Sequence, residues 1–155
     1  MNNLTNDVIE IYTDGACSGN PGKGGWGAIL LCRQHEKEIS GFSANTTNNQ
    51  MELTAVIEAI KIVKKTSEIV VYTDSIYVKD GISKWIFNWK NNGWKTANKK
   101  PVKNLELWQE LDLLVLNHQI SWKWVKGHSG NKYNEIADQL ATRAIQSGNY
   151  GLKLG

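Results

Sequence analysis

Three observations in the sequence predict a mixed α/β fold built on one five-stranded sheet. Three β-rich segments, residues 8–13, 25–32 and 38–44, follow one another across glycine-rich or polar bends, as in an antiparallel meander. A helical pattern then leads into a fourth buried strand at residues 68–73, and a right-handed βαβ crossover makes strands 1 and 4 parallel. Finally, Tyr12-Thr13-Asp14 at the end of the first strand is echoed by Tyr72-Thr73-Asp74 at the end of the fourth. Strands 1, 4 and 5 are expected to run parallel, with helices on both faces.

The elements follow in order. In the first strand Ile9, Ile11 and Thr13 alternate with Val8, Glu10 and Tyr12, which suits burial on at least one face. Gly15, Gly19, Pro21, Gly22, Gly24 and Gly25 then read as a tight bend that leaves backbone open beside Asp14. Thr47-Asn48-Asn49-Gln50 has the form of a capping box, and the stripe of Met51, Ala55, Val56, Ala59, Ile60 and Val63 carries a helix over residues 48–65. Short helices are expected at residues 75–80 and 82–89, broken by Asn91-Asn92-Gly93. Residues 95–103 read as a polar lysine-rich loop. Residues 105–116 form a helix with Leu107, Leu111, Leu114 and Val115 inward, and residues 120–125 the fifth strand. A small-residue loop over residues 126–132 precedes the last helix at residues 134–144.

The 155 residues suit one domain, large enough to bury a core without staples. Cys17 and Cys32, the only cysteines, have neither disulfide nor metal-ligand spacing and fit a reducing compartment. No leader pattern and no membrane-length apolar run is visible, so a cytoplasmic, soluble protein with no membrane association is expected, and no second exposed apolar stripe argues for anything beyond a monomer without a protein partner. The net charge of +3 is unevenly distributed. Residues 81–105 hold Lys84, Lys90, Lys95, Lys99, Lys100 and Lys103 and no acid, leaving 12 of the 18 basic residues against all 15 acidic ones. Trp85, Trp89 and Trp94 lie in the same lobe. Lysine interleaved with aromatics suits a nucleic-acid backbone and its exposed sugars or bases, the lesser alternative being a solvated helix whose tryptophans are simply core.

Asp14 alone could be a turn former, and Glu52 or Asp138 alone a boundary charge near a helix N-terminus. Together with Asp74 they form a set that would repel strongly unless cations lay between them. Oxygen-only ligands at an open site suit Mg²⁺, and two such ions could activate water and stabilise a leaving phosphodiester oxygen. His128, on its glycine-flanked loop, could move protons or serve as an ordinary loop histidine.

Asp14-Gly15 with Cys17, Gly19-Asn20-Pro21-Gly22, Thr47-Asn48-Asn49 with Met51-Glu52-Leu53, Thr73-Asp74-Ser75 with Tyr77-Val78, Val125-Lys126-Gly127-His128 and Asn134-Glu135 with Ala137-Asp138 closely resemble bacterial type 1 ribonuclease H. The likeness spans residues 8–144, and residues 81–104 are similar to the basic handle of its longer members. It implies a single ribonuclease H domain over residues 1–155 with a flexible tail over residues 148–155. The implied activity is hydrolysis of the RNA strand of RNA·DNA hybrids with one or two Mg²⁺ ions, Mn²⁺ being a substitute, to 5′-phosphate and 3′-hydroxyl ends with little sequence specificity. The family's biological work is removal of RNA primers and hybrids in replication and repair.

By the same resemblance Asp14, Glu52, Asp74 and Asp138 are the metal-binding acids and His128 the histidine of proton transfer or product release. Cys17, Asn20, Asn48 and Asn49 meet the hybrid's minor groove, and Thr47 and Asn104 hold a DNA-strand phosphate. Trp85 and Trp94, with Lys90, Lys95, Lys99 and Lys100, contact the DNA strand. Three departures from the pattern stand out: Gln50 where many members carry Arg, Ile76 where a polar residue is frequent, and Asn91-Asn92 in place of basic handle residues. The first two imply the loss of a phosphate contact and a minor-groove contact, and the third implies weaker affinity with a flatter salt dependence. A DNA-directed nuclease of the same superfold and a non-catalytic hybrid-binding module are the competing readings.

Overall fold

The computed structural model describes residues 7–125 and 131–148. Its sheet runs β3-β2-β1-β4-β5, from strands β1 (Val8–Gly19), β2 (Gly22–Cys32), β3 (His35–Thr46), β4 (Glu68–Thr73) and β5 (Gln119–Trp124). The meander is antiparallel, and β4 pairs parallel with both β1 and β5. The helices are α1 (Asn48–Ile62), α2 (Ile76–Asp80), α3 (Ile86–Asn91), α4 (Leu105–Val115) and α5 (Lys132–Gly148), with a π-helical turn, Gly81–Trp85, joining α2 to α3.

Alternation along β1 sorts the core into two layers. Ile11, with Leu30, Ile69 and Val71, faces α1, whereas Tyr12, with Ile29 and the partly buried Tyr72, faces Ala137 of α5. Helix α1 is buried on more than one stripe, since it also packs against α4 through a core that includes Trp108 and Leu111. Among the described residues no helix is long and apolar enough to cross a membrane.

The glycine-rich stretch differs from the expected bend. It is the continuation of a long β1–β2 hairpin, paired from Glu10↔Leu31 to Gly19↔Gly22, and the turn is confined to Asn20-Pro21, with Gly19 at φ +87°. Here the missing side chains admit helices. A Cβ on Gly15 would lie 2.5 Å from the backbone nitrogen of Glu52, and one on Gly27 would meet Leu140 and lie 2.7 Å from the carbonyl oxygen of Ala137. The hairpin is thus pressed by α1 on one face and α5 on the other.

The lysine-rich segment after α3 is also more ordered than its composition suggests. Trp94, at φ +63°, donates its N–H to the Trp89 carbonyl, Val102 donates to the Trp94 carbonyl at 3.2 Å, and Lys95 bridges Pro101. Val102 is buried, while Lys95, Lys99 and Lys100 remain exposed. A row of aromatic contacts runs from Trp94 through Trp89 to Trp85, Tyr77 and the wholly buried Trp108.

Candidate active site

Register explains how the acids meet. The parallel ladder between β1 and β4 ends at Tyr12↔Tyr72, whose rings stack at 4.2 Å with planes 3° apart. Two residues on, by the strand's period of two, Asp14 and Asp74 emerge on the same side, just past the last pair. Asp14 is therefore not at the end of its strand, as its sequence suggests. It sits inside the hairpin opposite Gly27 but beyond the reach of β4.

Glu52 comes from the first turns of α1. Thr47 caps that helix, its Oγ1 accepting the Gln50 N–H at 3.2 Å. The absence of a side chain at Gly15 lets the helix start press on β1. Oxygens of Asp14, Glu52 and Asp74 all lie within 4.8 Å of one another. Asp138 arrives on α5, which Asn131 caps by accepting the N–H groups of Tyr133 and Asn134, both at 3.0 Å. The Asp138 carboxyl hydrogen-bonds that of Asp14.

Such crowding has an electrostatic cost. Burial, then the Asp74 and Asp138 charges, push the Asp14 carboxyl up to about 8, against a single stabilising bond from the Gly15 N–H at 2.9 Å. Glu52 is pushed well above the usual carboxylate range by burial and then by Asp14 and Asp74. Its Oε1 is buried with no hydrogen-bond partner. Clustered carboxylates and an unsatisfied buried oxygen fit a hard divalent cation, which would both neutralise the charge and fill the empty coordination.

The other residues singled out in the sequence fall into three places. At the hairpin tip, Asn20 Oδ1 accepts the Asn48 N–H at 2.9 Å and Cys17 Sγ donates to the Thr46 carbonyl at 3.3 Å. Cys17, Asn20 and Asn48 are thus brought together, with Asn49 exposed beside them. Thr47 and Asn104 mark the starts of α1 and α4, and Gln50 Nε2 joins them by donating to Asn104 Oδ1 at 3.0 Å. In the basic lobe Trp85 and Trp94 are half-buried, and Lys90 is ion-paired to Asp112 at 3.2 Å. His128 lies outside the described residues. Sequence reasoning missed the stacked Tyr12 and Tyr72 beneath the acids and the cap at Asn131. The Tyr-Thr-Asp echo already contained the tyrosines, and an Asn three residues before the buried Asn134 was the signal for the cap.

The strand order, with its acids gathered just past the carboxyl end of the parallel β1–β4 ladder and met by helices from both faces, defines a ribonuclease H-like fold. LC9-RNase H1, described as a type 1 RNase H with the type 2 active-site motif, superposes with a TM-score of 0.84 at 32% identity, over 94% of this chain and 75% of that one. The RNase H family model matches residues 6–146. Ribonuclease H of Wolbachia pipientis wMel is 64% identical over 92% of this chain and 98% of its own. Ribonuclease HI of Neisseria meningitidis serogroup B is 59% identical over 89% and 95%. The chain belongs to the RNase H family, and within it to the bacterial type 1 enzymes.

Proposed function

We propose that this enzyme hydrolyses phosphodiester bonds of the RNA strand in RNA·DNA hybrids to 5′-phosphate and 3′-hydroxyl ends, using Mg²⁺ held by Asp14, Glu52, Asp74 and Asp138. The observation that carries the reading is the cluster of Asp14, Glu52 and Asp74 oxygens within 4.8 Å. Bound as one or two ions, Mg²⁺ supplies Lewis acidity that activates water and stabilises the leaving oxygen. Asp14, reached by the other acids and anchored by the Gly15 N–H, gives up its proton when the cation binds. Glu52 offers a carboxylate oxygen to the same centre. His128, matched by the family resemblance, moves protons or helps release product.

Substrate choice is a matter of backbone and sugar rather than base edges. Cys17, Asn20, Asn48 and Asn49 form a polar rim suited to the 2′-hydroxyls displayed in a wide minor groove. Thr47 and Asn104 take a DNA-strand phosphate, aided by the positive ends of α1 and α4. Lys95, Lys99 and Lys100 follow the DNA strand across the basic lobe, with Trp85 and Trp94 giving that lobe its fixed shape. Lys90 contributes there through a charge already shared with Asp112. The chain works as one domain, a cytoplasmic monomer, on the hybrids and RNA primers that replication and repair leave behind.

Cleavage of labelled hybrid, all-RNA and all-DNA duplexes, with Mg²⁺ and with EDTA, tests this. Cutting of the RNA strand of the hybrid alone, lost in EDTA, is expected. Equal cutting of all-DNA duplex, or activity that survives EDTA, refutes the reading.

A further inference from the structure

The Gln50 side chain is bonded at both ends of its amide. Thr46 Oγ1 donates to Gln50 Oε1 at 2.8 Å, and Gln50 Nε2 donates to Asn104 Oδ1 at 3.0 Å. Asn104 Nδ2 in turn donates to the Tyr77 hydroxyl at 3.0 Å, which also accepts the indole N–H of the buried Trp108 at 2.9 Å. The chain of bonds runs from the end of β3, across the first turn of α1, to the start of α4.

We propose that Gln50 is a positioning residue that fixes which way the Asn104 amide faces, and thereby sets the affinity for a substrate phosphate. The proposal rests on the reading that Asn104 meets the DNA strand. Asn104 is left-handed at φ +59° and its side chain caps nothing, so its own helix does not orient it. An amide turned through 180° keeps its shape and exchanges donor for acceptor. With its carbonyl held by Gln50 and one hydrogen given to Tyr77, Asn104 keeps one N–H for an anionic phosphate oxygen. Turned over, it would offer a lone pair, which phosphate repels.

This makes the chemistry at position 50 decisive rather than its bulk. Arginine only donates, so it would hold the Asn104 carbonyl as glutamine does. Glutamate only accepts, so it would draw the Asn104 NH₂ inward and turn the carbonyl toward Tyr77. Alanine would leave the amide unguided.

Steady-state cleavage of a hybrid at fixed Mg²⁺ tests the inference. Gln50→Ala should raise KM about three- to ten-fold, the value of one neutral hydrogen bond, with kcat within about two-fold. Gln50→Glu should raise KM further, and Gln50→Arg should return it to the wild-type value or below. In an Asn104→Ala background, Gln50→Ala should add little. An unchanged KM in Gln50→Ala, equal effects of Ala, Glu and Arg, or strictly additive effects of Gln50→Ala and Asn104→Ala would overturn the positioning role. Should Asn104→Ala itself leave KM unchanged, the phosphate contact falls as well, whereas loss of hybrid cleavage by the wild-type enzyme would refute the activity itself.

Discussion

Without a divalent cation the acid cluster opposes folding at neutral pH, and Asp14→Asn should relieve it. In the folded chain the Asp14 carboxyl is pushed up to about 8 by burial and by Asp74 and Asp138, whereas in the unfolded chain it titrates near 4. The folded state therefore holds this proton more tightly. Its contribution to stability is complete below about pH 4 and is lost as pH rises toward about 8, at about 1.4 kcal/mol per pH unit. By about pH 7 some three units have been crossed, an upper figure of about 4 kcal/mol. The asparagine keeps the shape and an oxygen for the Gly15 N–H but never ionises, so it should recover about 2–4 kcal/mol, or roughly 5–15 °C in Tm for a chain of this size. Circular-dichroism melts in EDTA across about pH 4 to 8 provide the measurement. The wild-type Tm should fall with pH and the variant's should fall less, the remaining slope belonging to Glu52. Millimolar Mg²⁺ should raise the wild-type Tm more than the variant's. Equal Tm values for the two proteins at about pH 7 to 8 in EDTA, or a wild-type Tm that rises over this range, would refute the reasoning.

Glu52→Gln should lower kcat by at least about 100-fold while also stabilising the metal-free protein, as paired activity assays and melts would reveal. Gly27→Ala places a methyl against Leu140 and the Ala137 carbonyl, so it should cost about 2–3 kcal/mol in a urea titration and reduce kcat by displacing Asp138. Changing Lys95, Lys99 and Lys100 together to Ala should raise KM with little effect on kcat. It should also flatten the dependence of log KM on log salt by about 2 to 3, measured between low and moderate ionic strength.

What the sequence made legible was whatever repeats or alternates. The five strands, their directions and the helix starting at Asn48 follow from local patterns that the structure keeps. The pairing of Asp14 with Asp74 was visible because an echo of three residues survives as register, down to the stack of Tyr12 on Tyr72. Contacts between distant segments were not legible. Gly15 reads as part of a bend and Gly27 as an ordinary strand position, because the helices that need their missing side chains are encoded elsewhere. Trp108 lies in a leucine-rich helix and is outnumbered by its apolar neighbours, yet it is the wholly buried centre on which Tyr77 and Trp89 pack. Gln50 reads as the last position of a capping box. Its reach to Asn104 spans 54 positions and could not be inferred from either neighbourhood.

The two glycines also show how a mutually repulsive set of acids is assembled. Asp14 and Gly15 are consecutive in a strand, so their α-substituents point to opposite faces. On the face of Asp14, Gly27 lets α5 settle onto the sheet and bring Asp138 alongside; on the other face, Gly15 lets the start of α1 press against β1 with Glu52 at its edge. The acids thus reach one point from three layers, each held by packing among other side chains: Ile11 and Val71 under α1, and Tyr12 with Ile29 under α5. Because none of that packing involves a carboxylate, the cluster can bear its repulsion without dispersing. The unsatisfied charge then remains as binding energy for a cation instead of being lost in rearrangement of the fold.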